Sequence, residues 1–334
     1  MERIRLPLAP SLEVKFADRE MALKRMEEWA ERGMARVEVV FGPEGCGKTA
    51  WLRQSAVLLR ELGYHVIYVD PLRKYFEAYT DVKEVARRLT EAAAGALGEA
   101  RIWLATLAID LTNLLMKRMK KKVAVLADDV FQAIGLGEAA KYVKALLGVI
   151  EYPPASYERV VAVIATSEGV NKREIGRHRW AYLTPMWNMP REGFRQLFDQ
   201  IPGEKPLFEE VWKITGGNPK LLGELYEAGW DVNRVVGRLI KGRGLVPGFI
   251  DKWRPWLKKA VEDPDVLWSP EAPMQLIEEL EAKNLIMYFL PERDPWFWAG
   301  EVPPEKDLEL GIGSRVAWQT PLHREAVRRA LEGT

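Results

Sequence analysis

The sequence is short of several things, and each shortage removes a class of protein. Its 334 residues include a single cysteine, which excludes an internal disulfide framework and a four-cysteine zinc site and fits a reducing, cytoplasmic setting. Three histidines are scattered along the chain without the spacing of metal ligands. Lysine plus arginine number 49 against 48 aspartate plus glutamate, so no whole-molecule field draws the chain to nucleic acid or membrane. No stretch reaches about 18 uncharged apolar residues, the length that marks a bilayer span. The opening MERIRLPLAPSLEV also lacks the apolar run of a secretory signal. Asparagine and glutamine are sparse beside glutamate, lysine and arginine, a bias that leans toward a thermophile. Internal repeats and low-complexity tracts are missing as well.

What is present reads as an ordinary folded chain. Hydrophobic residues make up 48% and charged residues 29%, near the averages of globular proteins, and the length allows two or three domains. The first residues, punctuated by prolines, read as an arm. Met21 to Arg32 has apolar residues at helical spacing, with Gly33 as its C-cap. Arg36–Phe41 is a short β-branched strand, and YHVIYVD, closed by Asp70 and Pro71, is another. From Asp81 to about Met119 the pattern predicts two helices broken near Gly95 or Gly98. Val123–Asp128 and Val160–Ala165 are further continuous apolar runs, and AYLTPM, starting at Ala181, is a candidate fifth strand. Such runs alternating with helices predict a parallel sheet buried on both faces. After Pro190 the chain reads as helices up to a linker at Lys241 to Gly248. Beyond it, helices are followed by LIMYFLP and SRVAWQT with a long Pro-rich insert between, the order of parts in a winged helix.

The chemistry begins at Gly42-Pro43-Glu44-Gly45-Cys46-Gly47-Lys48-Thr49, with Ala50 next on the helix that follows. The pattern G-x-x-x-x-G-K-[ST] arises by chance in about one chain in a hundred of this length, and here it joins a strand to a helix. Glycines let backbone N–H groups turn toward phosphate oxygens, and the helix N-terminus adds positive potential. A lysine at the position of Lys48 reaches the outer phosphates, and a hydroxyl at the position of Thr49 completes a Mg²⁺ shell. Asp128 and Asp129 end a later strand. One carboxylate there can hold Mg²⁺ and the other can orient or deprotonate the attacking water. Thr166 and Ser167 close the next strand, where a polar tip reaches toward the γ-phosphate. The basic run Lys117 to Lys122 reads as a solvated helix end, with phosphate-backbone binding as the alternative.

At this point the order of motifs resembles the archaeal branch of the STAND-type ATPases, relatives of the AAA+ proteins and of origin-recognition-class initiators. FADRE (Phe16 to Glu20) resembles that family's element by the adenine, and Gly176-Arg177 its arginine element before the fifth strand. Gly217-Asn218-Pro219 resembles its Gly-x-Pro motif, whose proline lies against the base. Two departures stand out: Glu168 follows the polar pair Thr166-Ser167, and Lys220 rather than arginine follows Pro219. The resemblance implies an α/β P-loop core (1–190), a helical lid (191–244) and a winged-helix domain (245–334). It also implies ATP and Mg²⁺ bound between core and lid. Lys48 and Thr49 would hold phosphate and metal, Asp128 the metal, and Asp129 would be the catalytic carboxylate. Thr166 and Arg177 would face the γ-phosphate, and Phe16, Arg19 and Pro219 would lie by the base.

The resulting expectation is a Mg²⁺-dependent ATPase switch, with a DNA-binding initiator and a non-hydrolysing scaffold as rivals. From Leu245 to Thr334 there are 11 basic and 16 acidic side chains, 11 − 16 = −5. A reader of DNA needs positive charge against phosphates, so this part is expected to engage the core, a protein partner or a second copy.

Overall fold

The computed structural model describes residues 1–94, 100–167, 175–176, 179–288 and 290–333. A β-hairpin of β1 (Arg5–Ala9) and β2 (Leu12–Lys15) comes first, where the sequence reads as an arm. Its alternation is short, and its apolar side chains Ala9, Leu12 and Val14 pack on distant helices, so the local pattern carries little signal. Helix α1 (Glu20–Arg32) buries Ala22, Leu23, Met26 and Ala30, and Gly33 closes it by donating to the Trp29 carbonyl.

The central sheet contains β3 (Val37–Phe41), β4 (His65–Asp70), β5 (Tyr75–Tyr79), β6 (Lys122–Asp128), β7 (Arg159–Thr166) and β8 (Ala181–Pro185), in the spatial order β5-β4-β6-β7-β3-β8. All neighbours are parallel except β5, which folds back antiparallel on β4. The sheet is therefore mostly rather than wholly parallel. YFEAY lies half-buried at an edge and carries none of the continuous apolar character that marks the inner strands. The period of two sorts those strands onto two cores. Val37, Val39, Ile67, Val125 and Ile164 face α4 (Ala100–Lys117) and α6 (Leu136–Glu151), which follow α3 (Lys83–Ala94) and the short α5 (Val130–Ile134). Val40, Val66, Tyr68, Leu126 and Val163 face α1 and α2 (Lys48–Glu61). The helix break expected near Gly95 or Gly98 lies outside the described residues.

Because the inner strands run parallel, their C-terminal ends share one edge. Phe41 is in register with Thr166, and Asp128 with Ala165, so the P-loop and the two polar strand tips converge there.

The rest is helical: α7 (Arg191–Asp199), α8 (Phe208–Thr215), α9 (Pro219–Glu227), α10 (Val232–Gly242) and α11 (Pro247–Glu262). Then come α12 (Met274–Ala282), the antiparallel pair β9 (Ile286–Tyr288) and β10 (Val316–Trp318), and α13 (Pro321–Glu332). One continuous core joins side chains on both sides of residue 244, from Phe194 and Leu222 to Leu257, Trp318 and Val327. The aromatic loop before β10 docks on the sheet: Trp298 is buried, the Ala299 N–H donates to the Pro185 carbonyl (2.9 Å), and Arg25 donates to Pro295 O (2.9 Å). The basic run is tied down locally, Arg118 to Glu84 and Lys120 to Asp81. No helix among the described residues is long and apolar enough to cross a membrane.

Candidate functional site

The loop after β3 needs its glycines for two physical reasons. A side chain at Gly42 would sit 1.9 Å from the Met186 carbonyl oxygen. Gly45 (φ 77°) and Gly47 (φ 103°) lie in the left-handed region, which L side chains rarely occupy. Gly47 then caps α2, with the Trp51 N–H donating to its carbonyl (2.9 Å). The Lys48 ammonium is buried and donates to the carbonyls of Gly42 (3.0 Å) and Pro43 (2.8 Å), which hold it across the loop. Thr49 and Ala50 follow on the first turn, half-buried.

Beside the loop lies a cluster of carboxyl groups. Asp128, 1% exposed, accepts from the Thr49 hydroxyl and from the Tyr68 hydroxyl (3.0 Å). Burial first, and then the neighbouring Asp129, push its pKa up to about 7. Asp129 adopts a left-handed backbone (φ 45°) and donates its N–H to Ala165 O on β7 (3.0 Å). Its carboxyl is also raised, by burial, while Lys48 opposes the shift. A donor set that repels itself in this way, with a hydroxyl beside it, fits a divalent cation such as Mg²⁺, which takes one or two protein carboxylates and its other ligands from phosphate and water.

Thr166 is buried at the end of β7 in register with Phe41. Ser167, next to it, reaches Asp129 at 3.5 Å. Arg177 lies outside the described residues. Phe16 is buried in the core between α1 and α2 with Arg3 over its ring, and Pro219 opens α9 beside Gly47, 3.9 Å from where a side chain there would begin.

Arg19 was expected by the base on the strength of the resemblance. Its guanidinium, 2% exposed, lies behind the P-loop, bonded to the carbonyls of Cys46 and of Trp187 (2.9 Å). The peptide joining Cys46 to Gly47 is trans, so fixing its carbonyl outward turns the Gly47 N–H inward. Cys46 itself is buried and free, its sulfur 3.7 Å from the Lys48 ammonium.

Sequence reasoning missed three further contributors. Asp70 ends β4, is 1% exposed, and accepts from Arg73 through both its backbone N–H (3.1 Å) and its guanidinium (2.6 Å), which puts Arg73 within 4.0 Å of Asp128. Its signal was a strand ending in an acid, as VLADD does. Asn218 donates from Nδ2 to the Glu44 carbonyl (2.9 Å) while its Oδ1 caps α9 by accepting from the Leu221 N–H (3.1 Å). Gln319, at the end of β10, accepts from the Glu44 N–H (2.9 Å). The Glu44 carboxylate pairs with Lys220 and Arg243. Burial alone would raise its pKa, but Arg243 and Lys220 outweigh that and hold it at about 2.

A glycine loop at the carboxyl edge of a parallel sheet, with a buried lysine and an acid pair beside it, defines a P-loop nucleotide-binding class. The chain belongs to the family of ATPase domains found predominantly in Archaea, whose match spans residues 16–225. No curated protein sequence matches it. Among solved structures it is similar to the ORC2 protein of Aeropyrum pernix in ADPNP–ADP complexes, at 13% identity over 93% of each chain with a TM-score of 0.41. It is similar also to Cdc6p of Pyrobaculum aerophilum, at 13% identity over 99% of each chain and a TM-score of 0.38. AMPPCP-bound DnaA from Aquifex aeolicus matches at 14% identity over 79% of this chain and 82% of that one, with a TM-score of 0.38.

Proposed function

We propose that this chain binds and hydrolyses ATP with Mg²⁺ and works as a conformational switch of the STAND type, its phosphate loop wired to the C-terminal half. The observation that carries the reading is Glu44: within the loop, this one residue is held by Asn218, Lys220, Arg243 and Gln319. A change in loop shape on phosphate binding is therefore felt by α9, α10 and the turn into α13. In this reading residues 1–190 are the ATPase core, 191–244 the lid and 245–334 a winged-helix domain.

In this reading the residues take the following roles. Backbone N–H groups of the loop and the Lys48 ammonium bind the phosphates. Asp128 and Thr49 hold Mg²⁺, which when bound supplies charge neutralisation of the triphosphate. Asp129, kept less acidic by burial, takes the proton of the attacking water. The docked aromatic loop and the acidic balance of residues 245–334 favour internal engagement or a protein partner over DNA. The test is thermal melting and turnover. Saturating ligand at about 100 times Kd adds about 2.7 kcal/mol of stability. Mg-ATP should therefore raise the melting temperature of wild type and of Asp129→Asn but not of Lys48→Ala. Turnover should be lost in both variants. Identical melting of wild type and Lys48→Ala, with and without nucleotide, would place the site elsewhere.

A further inference from the structure

A cavity of about 1080 Å³ lies along the edge of the sheet, between β8, the C-terminal half of α1 and the docked aromatic loop. Its floor is chemically unexpected. β3 reads VEVVF, and Glu38 is the one polar side chain in it, 7% exposed in an inner strand beside the edge strand β8. A buried charge survives in such a place only with a compensating partner. The hydroxyl of Thr184, two residues past its register partner Tyr182, donates to Glu38 at 2.8 Å, which is a neutral partner. Burial pushes the carboxyl up to about 7, against that bond and the field of Arg25. Glu281, also 7% exposed, lines the cavity from the C-terminal half.

The mouth is aromatic. Trp296 is 65% exposed, Tyr182 50% and Phe297 44%, all on this one cavity. Large apolar side chains left in water together mark a binding surface, whereas scattered ones do not. The pocket also has the size, the apolar lining and the few convergent polar groups of a small-molecule site between structural units.

Charge decides what kind of molecule fits. Arg32 and Arg36 lie at the rim, exposed and half-buried, and Arg25 lies deeper, its side chain 18% exposed. Arg25 pairs with Glu28 (3.2 Å) and stacks on Trp296, and Arg36 stacks on Tyr182. Solvated charges are screened, whereas buried ones act through a lower dielectric. Glu38 therefore sets the field at the floor; Arg25 reaches it but is itself paired with Glu28, and Arg32 and Arg36 act at the entrance.

We propose that this cavity binds an organic cation, an amine or guanidinium on an apolar body, whose charged end pairs with Glu38 and whose body lies against Trp296 and Phe297. The site is distinct from the P-loop, although Phe41, the residue before Gly42, lines it. The proposal does not depend on ATP turnover.

The test holds the body constant and varies the head. Calorimetry on the full chain compares 4-phenylbutylamine, 4-phenylbutanol and 4-phenylbutyrate. A ligand of this size can reach a Kd of about 1 mM or tighter. The amine should bind at least about tenfold more tightly than the alcohol, and the carboxylate weakest of the three. Glu38→Gln should bring the amine down to the affinity of the alcohol. Trp296→Ala, at an exposed position, should keep the fold and weaken amine and alcohol together. The head-group order in wild type needs no variant, so a Glu38→Gln chain that fails to fold leaves the test intact. Equal binding of all three, tightest binding of the carboxylate, no binding of the amine, or an amine advantage that survives Glu38→Gln would each overturn the proposal.

Discussion

The side of the P-loop that faces Asp128 and Asp129 and the side that faces away from them are built from different stretches of chain. In front, the groups proposed to bind and hydrolyse ATP sit on two short motifs, Gly42 to Ala50 and Asp128-Asp129, each continuous in sequence. Behind, the loop is held by Arg19, Asn218, Lys220, Arg243 and Gln319, up to 275 residues away. The front supplies charge and donors to a ligand. At the back, Arg19 and Asn218 fix the carbonyls of Cys46 and Glu44, so that the N–H groups on the other side of those two peptides point forward. Gln319 takes the Glu44 N–H, and Lys220 and Arg243 take its carboxylate. Chemistry is thus local in sequence, and the shape that makes it usable is not.

If that division is right, front and back substitutions should differ in kind. Lys48→Ala should abolish nucleotide binding, and Asp129→Asn should keep it while lowering turnover by about 10²–10⁴-fold, as expected for loss of a general base. Arg19→Ala should have the largest effect among the rear contacts. It leaves the buried carbonyls of Cys46 and Trp187 unpaired, at about 1–3 kcal/mol each in stability, and should weaken Mg-ATP binding about tenfold. Arg19→Lys should fall between, since both carbonyls accept from the one nitrogen Nη2, and a lysine ammonium can serve them but ends one bond short of it. Calorimetry and melting of the two variants check this, and a turnover defect with unchanged Kd would move Arg19 to the front.

Asn218 separates two jobs in one side chain. Asn218→Ala loses the α9 cap, about 1 kcal/mol, together with the bond to the Glu44 carbonyl. Asn218→Asp keeps an acceptor for the Leu221 N–H but has no donor for that carbonyl. A nucleotide affinity lowered about threefold in both, with the larger loss of melting temperature in Asn218→Ala, would assign the loop contact to Nδ2.

The smallest effect on nucleotide lies in the pH dependence behind the loop. His323 is buried, and burial first, with Arg243 next, holds its pKa down to about 3 against 6.5 in the open chain. The unfolded chain then takes up this proton first. The His323 contribution to stability should fall by up to about 1.4 kcal/mol per pH unit as pH drops below about 6.5. It is opposed in that range by the raised carboxyls of Asp128 and Glu38, which the folded chain protonates first. Glu44 acts lower: its pairing is fully stabilising above about 4.5 and is lost as pH falls toward about 2. The difference between the wild-type and His323→Gln profiles should slope between about pH 6.5 and 4.5, and the Glu44 window below it should remain in both. Denaturant melts at a series of pH values read both windows.

The same division explains what was legible in the sequence. Four inner strands announced themselves as continuous apolar runs because both faces of a parallel sheet are covered. The P-loop needed no tertiary information, since eight consecutive residues carry its pattern. β5 was missed because YFEAY lies half-buried at an edge, and the opening hairpin because its core partners, Leu221 and Leu222 among them, lie some two hundred residues away. Arg19 was singled out, but no local pattern tells that its guanidinium lies behind the loop. Asp70 ends its strand as visibly as Asp128 does, yet only the fold brings the two together. Glu38 stood in plain view as one acid in an apolar strand, and it acquires meaning only when β8 and the aromatic loop enclose it.

Gln319 offers the most direct measurement of the central claim, that the C-terminal half supports the phosphate loop from behind. Its side chain touches the loop at the Glu44 N–H from outside and has no part in the proposed phosphate or metal contacts. Titration of Mg-ATP into wild type and Gln319→Ala, both with native circular dichroism, should show the variant binding about fivefold more weakly or worse, the lower end of ordinary site-to-site coupling. A Kd unchanged within about twofold would mean that the loop keeps its shape alone and that the contacts behind it are packing without consequence for the nucleotide.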